Sequence, residues 1–224
     1  MSAHRHDLYR GIHKALRAAM FDTVHRLGAM DPDDAQDLQR TLDQARQLLG
    51  LLASHVKHEN DFVHTAIEAR LPGGACQTAE AHHGHLEDLA LLAAELDALQ
   101  RAAPAARGAL AQRAYLQFGR FVGEQLAHMQ VEETQNNAAL WSLYDDAELQ
   151  ALHGRLLASV APRDSQLALA WMARALNPAE VAELFGGMRR QAPPEAFGAA
   201  LALARGQLDA GRWQRLAGTL GLPA

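Results

Sequence analysis

The sequence predicts an all-α protein, an up-down-up-down four-helix bundle followed by a group of short helices. Three observations carry this. Ala, Leu, Gln, Arg and Glu, the strong helix formers, dominate the chain. The alternating β-branched and aromatic runs that mark strands are missing. The Gly and Pro punctuation is sparse and falls between long stretches. A first helix is expected over about residues 7–28, closed by Gly28 and the Asp31-Pro32-Asp33-Asp34 run, which also opens the second. The second runs to about Arg70 and is stopped by Leu71-Pro72-Gly73-Gly74. A third covers about 77–101 and ends at Ala103-Pro104; a fourth runs from about Ala106 to Tyr144. Short connections between long helices dictate antiparallel neighbours. Beyond Asp145 the segments shorten, to about 145–160, 164–175, 178–190, 194–205 and 208–219. Asn177 before Pro178 is an N-cap followed by proline at the first helical position. Two domains are therefore expected, a bundle over 1–145 and a helical extension over 146–224.

Composition narrows the function. A chain of 224 residues, 49% hydrophobic and 21% charged, is long enough to bury a real core. A net charge of −5 leaves no electrostatic footprint for a nucleic-acid partner. Cys76 is the only cysteine, which excludes a disulfide framework and multi-cysteine zinc modules. Apolar runs such as Leu48–Ala53 contain glycine and stop far short of the ~20 residues that cross a bilayer, so no membrane partner is expected. The opening MSAHRHDLYR lacks the apolar core of a secretory signal. A soluble, cytoplasmic protein is the expectation. Against that background the 12 histidines stand out, and all but His153 precede residue 145.

Four His-x-x-x-Glu pairs occur: His55/Glu59, His64/Glu68, His83/Glu87 and His128/Glu132. With 12 His and 12 Glu, chance placement gives 12 × 12/224, or about 0.6. On a helix, residues i and i+4 share a face, so both side chains can reach one ion. Imidazole plus carboxylate suits iron, manganese or zinc. Residues at one level of an antiparallel hairpin lie symmetrically about its turn. Pairs centred on 57 and 85 have their midpoint at 71, in the Leu71–Gly74 turn; pairs centred on 85 and 130 meet at 107.5, near the third connection. His13 against 57 gives 35, just past Asp31–Asp34. Four helices can thus each present a histidine at one level.

His64/Glu68 fails the same test, because nine steps of 100° from His55 turn it to the opposite face, where a solvated ion pair is expected. On the third helix His83 is preferred because Glu87 accompanies it; His82, in register with Leu86, Leu89, Ala93 and Leu96, is the alternative. His25, His58, His85 and Glu133 fall off the shared face, and His4 and His6 read as an exposed, flexible end. The expected ligand set is His13, His55, Glu59, His83, Glu87, His128 and Glu132. Burying these groups without counter-charge would cost several kcal/mol each, which two divalent ions would offset. One tetrahedral zinc needs only four ligands. The Glu-x-x-His spacing of ferritin-like di-iron bundles occurs once, at Glu80/His83.

These positions resemble the hemerythrin-like proteins with HHE cation-binding domains, over about residues 5–145. The resemblance is carried by His13 in IHKALR, His55 and Glu59 in HVKHEND, His83 in AHHGHLED, and His128 and Glu132 in LAHMQVEE. It implies a four-helix bundle holding two iron ions in a non-haem centre, with Glu59 and Glu132 as bridging carboxylates. Manganese and zinc share these ligand preferences. Oxygen-carrying members have a second histidine one turn along helix three and an extra residue in the helix-four spacing; here Glu87 and a three-residue gap stand instead. A more carboxylate-rich site favours ferric iron and points toward the sensing and repair branches, whose cysteine-bearing N-terminal segment is not matched here. The expected function is a di-iron protein that binds or senses O2, NO or peroxide. The alternatives are a di-iron oxidoreductase (oxidase, peroxidase or nitric-oxide-handling) and an iron storage or donation protein. No flavin or nicotinamide motif accompanies the site. The C-terminal helices are expected to relay a signal or to form a homodimer.

Overall fold

The computed structural model describes residues 5–222, and every regular element among them is helical. The helices are α1 (Arg10–Ala29), α2 (Ala35–His58), α3 (Thr65–Arg70), α4 (Cys76–Arg101), α5 (Pro104–Val131), α6 (Asn137–Leu143), α7 (Asp146–Ser159), α8 (Pro162–Ala175), α9 (Pro178–Gln191), α10 (Pro194–Gln207) and α11 (Ala210–Leu220). No helix among the described residues is long and apolar enough to cross a membrane.

The boundaries follow local chemistry. The Asp34 carboxylate accepts from the Gln36 and Asp37 amides and opens α2. Gly73, at φ +83°, makes the reversal after α3, where the Glu68 carboxylate accepts from the Gly73 and Ala75 amides at 2.7 and 2.8 Å. Glu68 therefore holds a turn and does not pair with His64. Capping boxes open α7 (Asp145 with Glu148) and α9 (Asn177 with Glu180).

Two expected helices are not continuous. Residues Glu59–His64 and Glu132–Asn136 are π-helical, so α2 runs through a π turn into α3, and α5 through a π turn into α6. Each π segment starts at the glutamate of a His-x-x-x-Glu pair.

The chain forms two compact units, one of residues 5–9 and 19–160, the other of 10–18 and 161–222. In the first, α4 packs against both α2 and α5, and α3 against α6. The residues 78, 82, 85, 89, 92, 96 and 99 form the buried stripe of α4, alternating steps of four and three. The latter part of α1 meets α2 where Gln44 donates to Asp22 and Thr23 at 2.6 and 3.3 Å. Leu8, Tyr9, Val63, Ile67, Leu140, Leu149 and Leu152 form one apolar cluster. Because that cluster includes Leu149 and Leu152 of α7, the first unit reaches residue 160, beyond the change in sequence texture at 145.

Residues 5–9 are tied down, contrary to the expectation of a flexible end. Arg5 binds Asp146 at 2.7 Å and the Trp141 and Tyr144 carbonyls at 2.8 and 2.6 Å; Trp141 donates to the His6 carbonyl at 2.8 Å. His6 Nε2 and His153 Nδ1 share a hydrogen bond at 3.0 Å. His4 lies outside the described residues. Burial, then the His6 charge, lowers the His153 pKa from 6.5 to about 4. As pH falls below 6.5 the unfolded chain takes up a proton that the folded chain refuses until about pH 4, so stability falls across that window. Chemical unfolding at pH 7 and 5 is expected to show a shallower loss in His153→Leu, by up to about 1.4 kcal/mol per pH unit.

In the second unit the four C-terminal helices start at residues 162, 178, 194 and 210, a constant step of 16. Alternate helices pack together, α8 with α10 and α9 with α11. Their core holds Ala173, Leu176, Val181, Phe185, Ala200, Ala204, Leu216 and Leu220, and Lys14 pairs with Glu180 at 2.6 Å.

Candidate metal centre

The first unit buries two carboxylates among histidines. Glu59 is 3% exposed and Glu132 fully buried. His55 Nε2 lies 3.1 Å from Glu59 Oε1, one turn along α2, and His128 Nε2 lies 3.1 Å from Glu132 Oε1, one turn along α5. From α4, His82 Nε2 sits between the two glutamates, 3.4 Å from Glu59 Oε2 and 3.3 Å from Glu132 Oε1. Its Nδ1 is 2.7 Å from Asn60 Oδ1. The Asn60 oxygen can only accept, so Nδ1 carries a proton and Nε2 is the nitrogen that faces the two carboxylates. That position between Nε2 and the carboxylates takes either a second proton or a metal ion.

The spacing suits a metal ion. Two donors at right angles, each about 2.1 Å from an ion, lie about 3 Å apart, close to the four distances above. Ligand atoms of His55, Glu59 and Glu132 lie within 4.8 Å of one another, as do those of His64, His82 and Glu132. These buried His and Glu groups could hold a metal ion, and Glu132 belongs to both.

The electrostatics match. Burial opposes a charge on His82, but Glu132 and Glu59 outweigh it and raise its pKa to about 9. Burial and Glu59 push Glu132 upward, yet the His128 and His82 imidazoles bring it below its ordinary value. Burial, then Glu59 and Glu132, raises the Tyr9 phenol well above 10. That phenol accepts from Asn136 at 3.2 Å, and Asn136 also reaches Thr78 at 3.3 Å.

The structure corrects several expectations. His83 and Glu87 point to solvent, their side chains 81% and 71% exposed, and face each other at 3.5 Å. His82 takes the inward place, since the heptad stripe of α4 passes through 82 and 85 and leaves 83 about 100° away. The i,i+4 pairing that favoured His83 describes a solvated ion pair equally well. His64, expected on the outer face, is 5% exposed; its ring lies nearly parallel to that of His82, centroids 4.8 Å apart. The π turn explains this. An i→i+5 turn holds about one residue more than an α turn, which withholds about 100° of rotation. His85 is also buried, edge-on to His128 at 4.5 Å; burial, then His128 and His82, lowers its pKa to about 4. His58 Nδ1 meets the Ser54 carbonyl at 2.5 Å, and His25 is exposed. His13 is fully buried on α1, within residues 10–18 of the second unit. The centre described above is the one the first unit builds from its own side chains.

Sequence reasoning missed Asn60, His64 and His85. The 4-3-4-3 spacing of α4 carried the signal for His85; nothing in the residue pattern marked the π turn that brings in His64.

Known protein families, curated proteins and solved structures give no match to this chain.

Proposed function

We propose that the first unit is an up-down-up-down four-helix bundle holding a carboxylate-bridged, non-haem di-iron centre of hemerythrin-like type. His55, Glu59, His82, His128 and Glu132 are its donors in that unit, with Glu132 shared between the ions. The observation that carries the reading is His82, whose Nε2 faces two buried carboxylates while Asn60 holds a proton on the opposite nitrogen. Two further features support it. The donors outnumber the four a tetrahedral zinc takes. Each glutamate also opens a π turn, a helix form concentrated at functional sites. When bound, iron supplies affinity for O2, NO or peroxide, and the protein binds or senses such a ligand. The protein's part is to keep the two carboxylates buried and to fix the His82 tautomer through Asn60.

The test is metal analysis of freshly purified full-length protein, with about two irons per chain expected. An absorption band that changes with O2, NO or peroxide without turnover supports binding or sensing. Repeated turnover with an added reductant makes the protein an oxidoreductase instead. Absence of stoichiometric metal after anaerobic reconstitution sinks the reading. Because Asn60 orients a ligating imidazole, Asn60→Ala is expected to weaken metal binding about 10–100-fold, read by competition with a chelator.

A further inference from the structure

Within the first unit two buried imidazoles stand outside that donor set, His64 and His85, and only His64 is placed to join it. Neither nitrogen of His64 has a hydrogen-bond partner among the described residues, although the residue is 5% exposed. Buried polar nitrogens are ordinarily bonded, and two orphans on one ring call for a ligand. We propose that His64 is itself a metal ligand, completing with His82 and Glu132 the site of the second ion, while His55, Glu59 and Glu132 serve the first. This rests on the metal reading above.

Ligand atoms of His64, His82 and Glu132 lie within 4.8 Å of one another. Two nitrogens on neighbouring positions of one ion, each about 2.1 Å from it, lie about 3 Å apart, so side-chain shifts of up to about 1.8 Å seat all three. The His64 and His82 rings, 18° from parallel with centroids 4.8 Å apart, suit neighbouring positions on one ion. The π turn Glu59–His64 delivers the side chain: it starts at one donor, Glu59, and ends at the other. A plain α-helix would send His64 outward. His85 differs, since it packs edge-on against the His128 and Phe121 rings and shares no ligand group with a carboxylate.

The test uses metal-stripped full-length protein titrated anaerobically with cobalt(II), whose visible absorption reports its nitrogen donors. Wild type is expected to take two ions. His64→Ala is expected to keep one at wild-type affinity, to bind the second at least about tenfold more weakly, and to lose part of the visible band. Added imidazole should restore both. His85→Ala should take two ions as wild type does. If His64→Ala loses its helical circular dichroism, His64→Gln takes its place. A His64 variant that binds two ions as tightly as wild type, or a wild type that takes only one, overturns the assignment of His64. A wild type that binds none overturns the metal centre itself.

Discussion

Glu132→Ala is expected to empty the proposed centre of both ions, the largest effect of any single substitution. Its carboxylate is fully buried and belongs to both ligand groups, so no other residue can replace it. Circular dichroism of the metal-free variant checks that it folds, since the substitution relieves repulsion with Glu59 but also removes the contacts with His128 and His82 that hold the Glu132 pKa below its ordinary value. What disappears is the stabilisation that bound metal confers, about 2.7 kcal/mol at a free concentration 100 times the dissociation constant. Thermal unfolding with and without metal, beside metal analysis, checks this. His83→Ala and Glu87→Ala are the matched controls. Both side chains point to solvent, and both variants should keep full metal content and the full metal-induced shift in Tm. Two tightly held ions in Glu132→Ala, or loss of metal in His83→Ala, would contradict the geometry.

Metal affinity should rise steeply with pH. In the metal-free protein the carboxylates hold a proton on His82 up to about pH 9. A metal ion must displace that proton, so below pH 9 each unit of acidification costs about tenfold in affinity, and about hundredfold separates pH 8 from pH 6. Metal-free stability runs the opposite way. A histidine whose folded pKa is raised from 6.5 to about 9 contributes stability fully present below pH 6.5, which is lost as pH rises through 9. The metal-free form therefore weakens across the window in which loading strengthens. Metal titrations at pH 6, 7 and 8, with the proton release of each, check the sign. A pH-independent affinity would exclude His82 as the displaced proton's carrier.

Most of the fold could be read from the chain because helix ends obey local rules. Asp34, Pro104, Asn177 with Pro178, and Pro194 act within a turn of their own position, and the helices start and stop within a few residues of where they predict. The convergence of His55/Glu59 with His128/Glu132 was legible for a related reason, since hairpin symmetry depends only on residue counts and turn positions. What failed was angular. The choice between His82 and His83 turns on 100° of rotation, and the apolar stripe of α4 decided it where pair statistics had pointed elsewhere. His64 failed for a deeper reason. The i→i+5 turn that carries it begins at Glu59, and no residue preference announces it. Asn60 is a partner of His82 only once two helices are laid together.

That turn also constrains the length of the chain. A π turn amounts to one surplus residue lodged in an otherwise regular coil. Inserting one further residue between 60 and 63, where the turn already holds its surplus, would swing everything beyond it by about 100°. Ile67 would then leave its place beside Leu140 and Leu149, and the reversal at Gly73 would aim the next helix elsewhere. In this stretch the number of residues matters as much as their identity, so side-chain exchanges at exposed Asp61 should be far better tolerated than the gain of a single residue.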